Sequence, residues 1–190
     1  MHFIFRNIST LTIITVLFSN ITNAQPNKGR HIDISIGYGF STTSDELDLY
    51  GKGFYLQGEY VFGLTRWFGL RPYAGFITTS HDENASDPNL TGFEVTTKAF
   101  LFGGKARVSI PIPWIAPYLE IGIGGSLGSF TTFTPNVNKK ENGFLMHIPL
   151  SFGLALGPNY NIEVAATYYF HPTIEQVSGA AALGFSIPLN

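Results

Sequence analysis

The sequence predicts an all-β fold, an eight-stranded antiparallel up-and-down β-barrel that crosses a membrane. Three observations predict it. Apolar and non-apolar residues alternate with period two in eight separate segments, which is the signature of a strand with two unlike faces. The apolar face is bulky throughout, whereas the opposite face carries mostly Gly, Ser and Ala with isolated charges. The connections alternate between long polar links and tight turns.

Composition agrees. Aromatic residues make up 15% and charged residues 13% of the 190 residues, with 21 glycines. Ordinary soluble domains carry about 25% charged residues. A chain so rich in rings and poor in charge suits a lipid-facing wall. Cysteine is absent, which excludes disulfides, a thiol nucleophile, a thiolate metal site and a lipid-modified cysteine at the mature N-terminus. The formal net charge of −2 and the lack of a basic stripe argue against nucleic acid as a partner.

Residues 1–24 read as a signal peptide, with 25–190 as one barrel domain. His2 and Arg6 open it, Ile8 to Phe18 is mostly apolar, and Thr22-Asn23-Ala24 offers small residues for cleavage before Gln25. The apolar run is too short for a spanning helix, which needs about 20 residues.

The stripes then follow in order. Ile32, Ile34, Ile36, Tyr38 and Phe40 share a face opposite Asp33, Ser35, Gly37 and Gly39. Phe54, Leu56, Tyr60 and Phe62 oppose Tyr55, Gln57 and Glu59. Phe68, Leu70, Ala74 and Phe76 oppose Gly69, Arg71, Tyr73 and Gly75. Phe100, Phe102, Ala106 and Val108 oppose Gly103, Lys105 and Arg107. Leu119, Ile121, Ile123 and Leu127 oppose Tyr118, Glu120, Gly122, Gly124 and Ser126. Phe144, Met146, Ile148, Leu150, Phe152 and Leu154 oppose His147, Ser151 and Gly153. Ile162, Val164, Ala166, Tyr168 and Phe170 oppose Glu163, Thr167 and Tyr169. Ala181, Leu183, Phe185, Ile187 and Leu189 close the series. Each stripe runs for about ten residues, the length a tilted strand needs to cross a bilayer.

Alternation alone also describes a soluble barrel, which points its bulky apolar groups inward. Here the apolar face is uniformly large and the other face mostly small, and small residues suit the inside of a narrow eight-stranded barrel. The bulky face is therefore assigned to lipid. Long links are expected at Thr42 to Lys52, Thr79 to Gly92 and Thr132 to Asn142, with tight turns at Gly63 to Arg66, Pro111 to Trp114 and Gly157 to Tyr160. Trp67, Trp114 and Tyr160 are expected to form an aromatic girdle at the turn end, and Phe40, Phe54, Phe76, Phe130, Phe144 and Phe170 the opposite one. Pro72 and Pro149 fall inside stripes, where each removes a ladder donor, so bulges are expected there.

With the strands placed, a family resemblance emerges. "EYVFGLTRWFGLRPYAGF" (59–76), "LFGGKARVSIPIPWIAPYLEIGIGGSLG" (101–128) and "IPLSFGLALGPNYNIEVAATYYF" (148–170) resemble successive hairpins of small OmpA/OmpX-type barrels. The likeness is closest to the porin-family β-barrel domain common in Bacteroidetes-like bacteria. One departure is that the chain ends Ile187-Pro188-Leu189-Asn190, where such barrels usually finish on an aromatic residue. The resemblance implies a bacterial outer-membrane location with periplasmic termini and long extracellular loops. Its implied partners are outer-membrane lipid, lipopolysaccharide and the insertion machinery, and it implies no cofactor.

The chemistry-bearing residues are few. Asp33, Glu59, Glu120 and Glu163 share the inner face with Arg71, Lys105 and Arg107, with His31 and His147 nearby. Buried charges must be paired, so a structural salt-bridge network filling the lumen is expected, and a narrow ion path is the alternative. A lipid A-modifying enzyme is the further alternative. It lacks a visible nucleophile and base, because His147 and Ser151 lie about 13 Å apart at ~3.4 Å per residue. The loop acids Asp45, Glu46, Asp48, Asp82, Glu83 and Asp87 offer oxygens to calcium but not the spacing of an EF-hand. The sequence thus points to a non-enzymatic barrel with a structural or envelope-interaction role.

Overall fold

The structure is a computed structural model that describes residues 29–43, 50–81, 94–133, 138–173 and 176–189. The leader expected at 1–24 and the acidic loop residues named above lie outside the described residues. Eight strands follow one another: β1 (Gly29–Thr43), β2 (Tyr50–Gly63), β3 (Phe68–His81), β4 (Glu94–Ser109), β5 (Ile115–Phe133), β6 (Asn138–Leu156), β7 (Ile162–Phe170) and β8 (Gln176–Leu189). Each pairs antiparallel with its sequence neighbours, and β1 also pairs with β8, so the sheet closes. Closure leaves no edge, the condition a sheet must meet in hydrocarbon.

The alternation becomes two surfaces. Ile32, Ile34, Ile36, Phe102, Ile121, Phe152 and Phe185 stand on the exterior, each between 37% and 58% exposed. The apolar exterior continues around all eight strands, through Phe62, Leu70, Phe100, Leu150, Val164 and Leu183. Soluble proteins rarely expose contiguous apolar patches beyond several hundred Å². A wall of this kind is covered by acyl chains, so the chain is a transmembrane β-barrel.

Two expectations about the strands are corrected. The strands run from 9 to 19 residues rather than about ten each. The link expected at Thr132 to Asn142 shrinks accordingly, because β5 and β6 keep pairing up to Phe133 and Asn138. The polar residues of this stretch hid the continuation: Thr131 pairs with Lys140, and ladder bonds do not depend on side-chain polarity. The prolines, second, produce no bulge. Glu59 pairs with Tyr73 and Phe62 with Leu70, so the β2–β3 register is the same on both sides of Pro72 while the two pairs between lapse. Pro72 itself pairs with Gly104 on its β4 side. Pro149 does the same, paired to Tyr169 of β7, with an unshifted lapse toward β5 between Gly124–His147 and Ile121–Leu150. A proline lacks one donor on one side, and skipping that contact disturbs the barrel less than inserting a residue.

Glycines let the inner wall close. A Cβ on Gly122 would collide with the Gly104 carbonyl and the Lys105 Cα, and one on Gly124 would sit 2.5 Å from the Phe102 carbonyl and 2.6 Å from His147 Nε2. Gly124→Val is therefore expected to prevent the barrel from closing. On unboiled electrophoresis the variant should run with the mobility of heated protein, whereas a retained compact band would show that the wall can yield.

Candidate functional site

The lumen is the place where chemistry-bearing residues converge, and it is built in layers because inward residues recur at every second position of each strand. The charged layer joins six strands. Arg71 of β3 contacts Asp33 of β1 and Glu59 of β2, and lies 3.4 Å from Glu120 of β5 and 3.7 Å from Glu163 of β7. Lys105 of β4 bridges Glu59 at 2.5 Å and Glu120 at 2.7 Å. Arg107 bonds Glu120 at 2.6 Å and grips both oxygens of Glu163 at 2.5 and 2.8 Å. Its guanidinium also stacks 3.5 Å from the Tyr118 ring. Gln57 donates to Glu59 at 2.6 Å, and the Tyr118 hydroxyl donates to Glu163 at 3.1 Å. Asp33, Glu59, Arg71, Lys105, Glu120 and Glu163 are all buried. Such groups are tolerable only because they satisfy one another.

Toward the loop end the lining becomes aromatic. The Tyr169 hydroxyl donates to Gln57 at 2.6 Å and lies 2.9 Å from the Tyr55 hydroxyl. His147 belongs here rather than to the ion pairs. Its Nε2 lies 2.5 Å from the Tyr73 hydroxyl and its Nδ1 2.7 Å from Ser126 Oγ. Ser126 also meets His171 Nε2 at 2.9 Å, and the His171 ring packs 4.9 Å from Phe130. Beyond these, Ile77, Leu101, Phe130 and Leu145 are buried together. Closest to the loops, Ser41 bonds Thr79 at 2.8 Å and Thr97 bonds Ser178 at 3.0 Å, all four fully buried. At the turn end a vestibule lined by His31, Asp33, Arg66, Arg107 and Ser186 opens outward.

Several expected placements change. Tyr160 is not in the girdle. It is 5% exposed, packs with Ala116, Tyr118 and Ala155, and donates its hydroxyl to the Ile112 carbonyl at 2.8 Å. Its positive φ of 53°, three residues after Gly157 at 94°, turns the side chain under the barrel mouth. Strand parity does not govern a residue in a turn. Phe130 is also inside, 1% exposed, because it continues the even-numbered inward face of β5. Trp67 and Trp114 do stand exposed at the turn end, at 55% and 62%. Phe54 and Phe76 pack at 5.6 Å on the opposite half, Phe40 leans on Tyr168 at 5.7 Å, and Phe170 is exposed.

The sequence reading missed the Ser126–His147–His171 cluster. Within its own strand His147 has only Ser151 to be weighed against. Ser126 lay on the inner stripe, and His171 continues the odd-numbered inward face of β7, so parity carried the signal. The statement that no nucleophile and base come within reach is thereby corrected, since Ser126 and His147 are hydrogen-bonded. Both are fully buried in the lumen wall, away from the lipid face. Among the described residues, no group of three His, Asp or Glu side chains is arranged to hold a metal ion.

No family description and no curated protein matches the chain. Among solved structures, the crystal structure of Neisserial surface protein A is similar, with a TM-score of 0.57 at 12% identity over 85% of this chain and 97% of that one. Ail, the attachment invasion locus protein of Yersinia pestis, aligns with a TM-score of 0.49 at 18% identity over 85% and 99% of the two chains. The N-terminal β-barrel domain of Pseudomonas aeruginosa OprF aligns with a TM-score of 0.48 at 15% identity over 85% and 100%. At such identities the likeness speaks to architecture. Eight closed antiparallel strands, an apolar exterior and the Neisserial match agree: the chain has the fold of the small OmpA/OmpX-type outer-membrane β-barrels.

Proposed function

We propose that this chain is an integral barrel of the bacterial outer membrane that does not pass solute and serves a structural or surface-interaction role through its loops. One observation carries the reading: Arg71 spans the lumen to acids on four other strands, so the bore is occupied by bonded side chains. An eight-stranded barrel has room for side chains to fill its interior and little more. The exposed Trp67 and Trp114 at the tight turns support a periplasmic turn end, with both termini there and the longer connections outside. In this reading residues 1–24 are removed on export, the insertion machinery places the barrel, and lipid and lipopolysaccharide are its standing partners.

The Ser126–His147 pair is read as structural, because it is enclosed between the aromatic and hydroxyl layers rather than presented to lipid. Conduction is the sharper rival. Purified barrel in planar bilayers is expected to give no discrete current steps. Steady ohmic steps that vanish in Glu120→Gln would favour the channel instead and overturn this reading. Altered lipid A in the mass spectrum of a deletion strain would overturn the non-enzymatic part.

A further inference from the structure

The four lumen acids are not equivalent. Glu59 receives Gln57 and Lys105 on Oε1 and Arg71 on Oε2. Glu120 receives Arg107 on Oε1 and Lys105 on Oε2. Glu163 receives Arg107 on both oxygens and Tyr118 on Oε2. Every oxygen of these three meets a donor. Asp33 differs. Arg71 takes its Oδ2, while among the described residues nothing donates to Oδ1.

That free oxygen is not on the surface. Asp33 is 4% exposed, yet it lines the vestibule at the turn end. Ser186 of β8 is its register partner and lines the same space. The ion-paired set counts four acids, Asp33, Glu59, Glu120 and Glu163, against three bases, Arg71, Lys105 and Arg107, leaving one negative charge in excess. The excess and the unsatisfied oxygen coincide at Asp33. A buried anion left part-solvated is costly, so an accessible counter-charge would be drawn there.

We propose that the vestibule binds one singly charged cation, an alkali-metal ion or a primary ammonium group, seated on Asp33 Oδ1 beside the Ser186 hydroxyl. A single positive charge closes the balance, and a divalent ion overshoots it. The neighbouring basic groups do not already fill the role. Arg107 is committed to Glu120 and Glu163, Arg66 is exposed to solvent in the turn, and His31 is half-buried with no ion pair among the described residues.

The test uses the full mature chain refolded in zwitterionic detergent. Chloride salts of sodium, potassium, ammonium and tetraethylammonium are compared at equal ionic strength. The readout is the temperature at which the compact band on unboiled gels gives way to the unfolded one. A ligand that binds only the folded state raises this midpoint. The small cations are expected to raise it by several degrees over bulky tetraethylammonium. Asp33→Asn should abolish the difference and Ser186→Ala should reduce it. A response to sodium or potassium assigns an alkali ion, and a response to ammonium alone assigns an ammonium group. Equal midpoints in all four salts would overturn the proposal. So would a cation response that persists in Asp33→Asn. It also falls if the wild type is insensitive while His31→Gln or Arg66→Gln becomes sensitive, since the protein would then supply the charge. An infrared carboxylic-acid band lost in Asp33→Asn would place a proton on Oδ1 and overturn it as well.

Discussion

Replacing Arg71 with methionine is expected to cost the barrel about 3–5 kcal/mol, the loss typical when one partner of a buried ion pair is removed. Arg71 is 3% exposed and touches all four lumen acids. Without it, Asp33 loses its donor and Glu59 keeps only Gln57 and Lys105. Two carboxylates would then be buried with unsatisfied oxygens. Lysine is expected to recover only part of the loss. The guanidinium uses Nε toward Glu59 and Glu120, Nη2 toward Asp33 and Nη1 toward Glu163, and one ammonium cannot face three directions at once. Urea unfolding of the refolded protein in lipid vesicles, followed by tryptophan fluorescence, measures the difference. A loss below about 1 kcal/mol, the range of exposed pairs, would mean that the lumen is wet and the network dispensable.

Ile121→Lys is the second large effect. Ile121 is 58% exposed, paired with Ala106 and Leu150, and stands midway along the exterior face between Trp114 and Leu127. On a soluble protein an exposed isoleucine replaced by lysine changes stability within about ±0.5 kcal/mol. At the midplane of a bilayer the same change on a barrel costs about 2–4 kcal/mol, falling to about 0–1 near the interface. The graded pair Ile121→Lys and Trp114→Lys therefore reports depth. Unfolding in vesicles should separate the two variants by at least about 1 kcal/mol. Equal, small effects would place Ile121 in water and undo the membrane reading.

Much of this architecture was legible because a strand has only two sides. The period-two stripes put Asp33, Glu59, Arg71, Lys105, Arg107, Glu120 and Glu163 on one face, and the structure brings those residues into one layer. Parity fails where the strand ends. An aromatic residue near a turn reads as a girdle residue, whereas the backbone of Tyr160 at a φ of 53° folds it under the barrel. Phe130 shows the opposite case: its parity points inward, where the structure buries it, although rings near strand ends are expected to gather in a girdle. Strand ends were illegible too, since Thr131, Thr132 and Lys140 look like loop residues and are paired all the same.

Fold class, strand number, the two faces and the list of charges are all written in the linear order of the residues. Those follow from local alternation, which a linear chain carries in full. Which acid meets which base was decided only by closing the cylinder. Closure fixes the stagger between β3, β5 and β7 and so sets Arg71 within reach of Glu120 and Glu163, 49 and 92 residues away in the chain. The same closure brings Ser126 against two histidines and leaves one buried oxygen of Asp33 without a donor among the described residues. Contacts across a lumen depend on the stagger of every strand between them, and no local pattern records that sum.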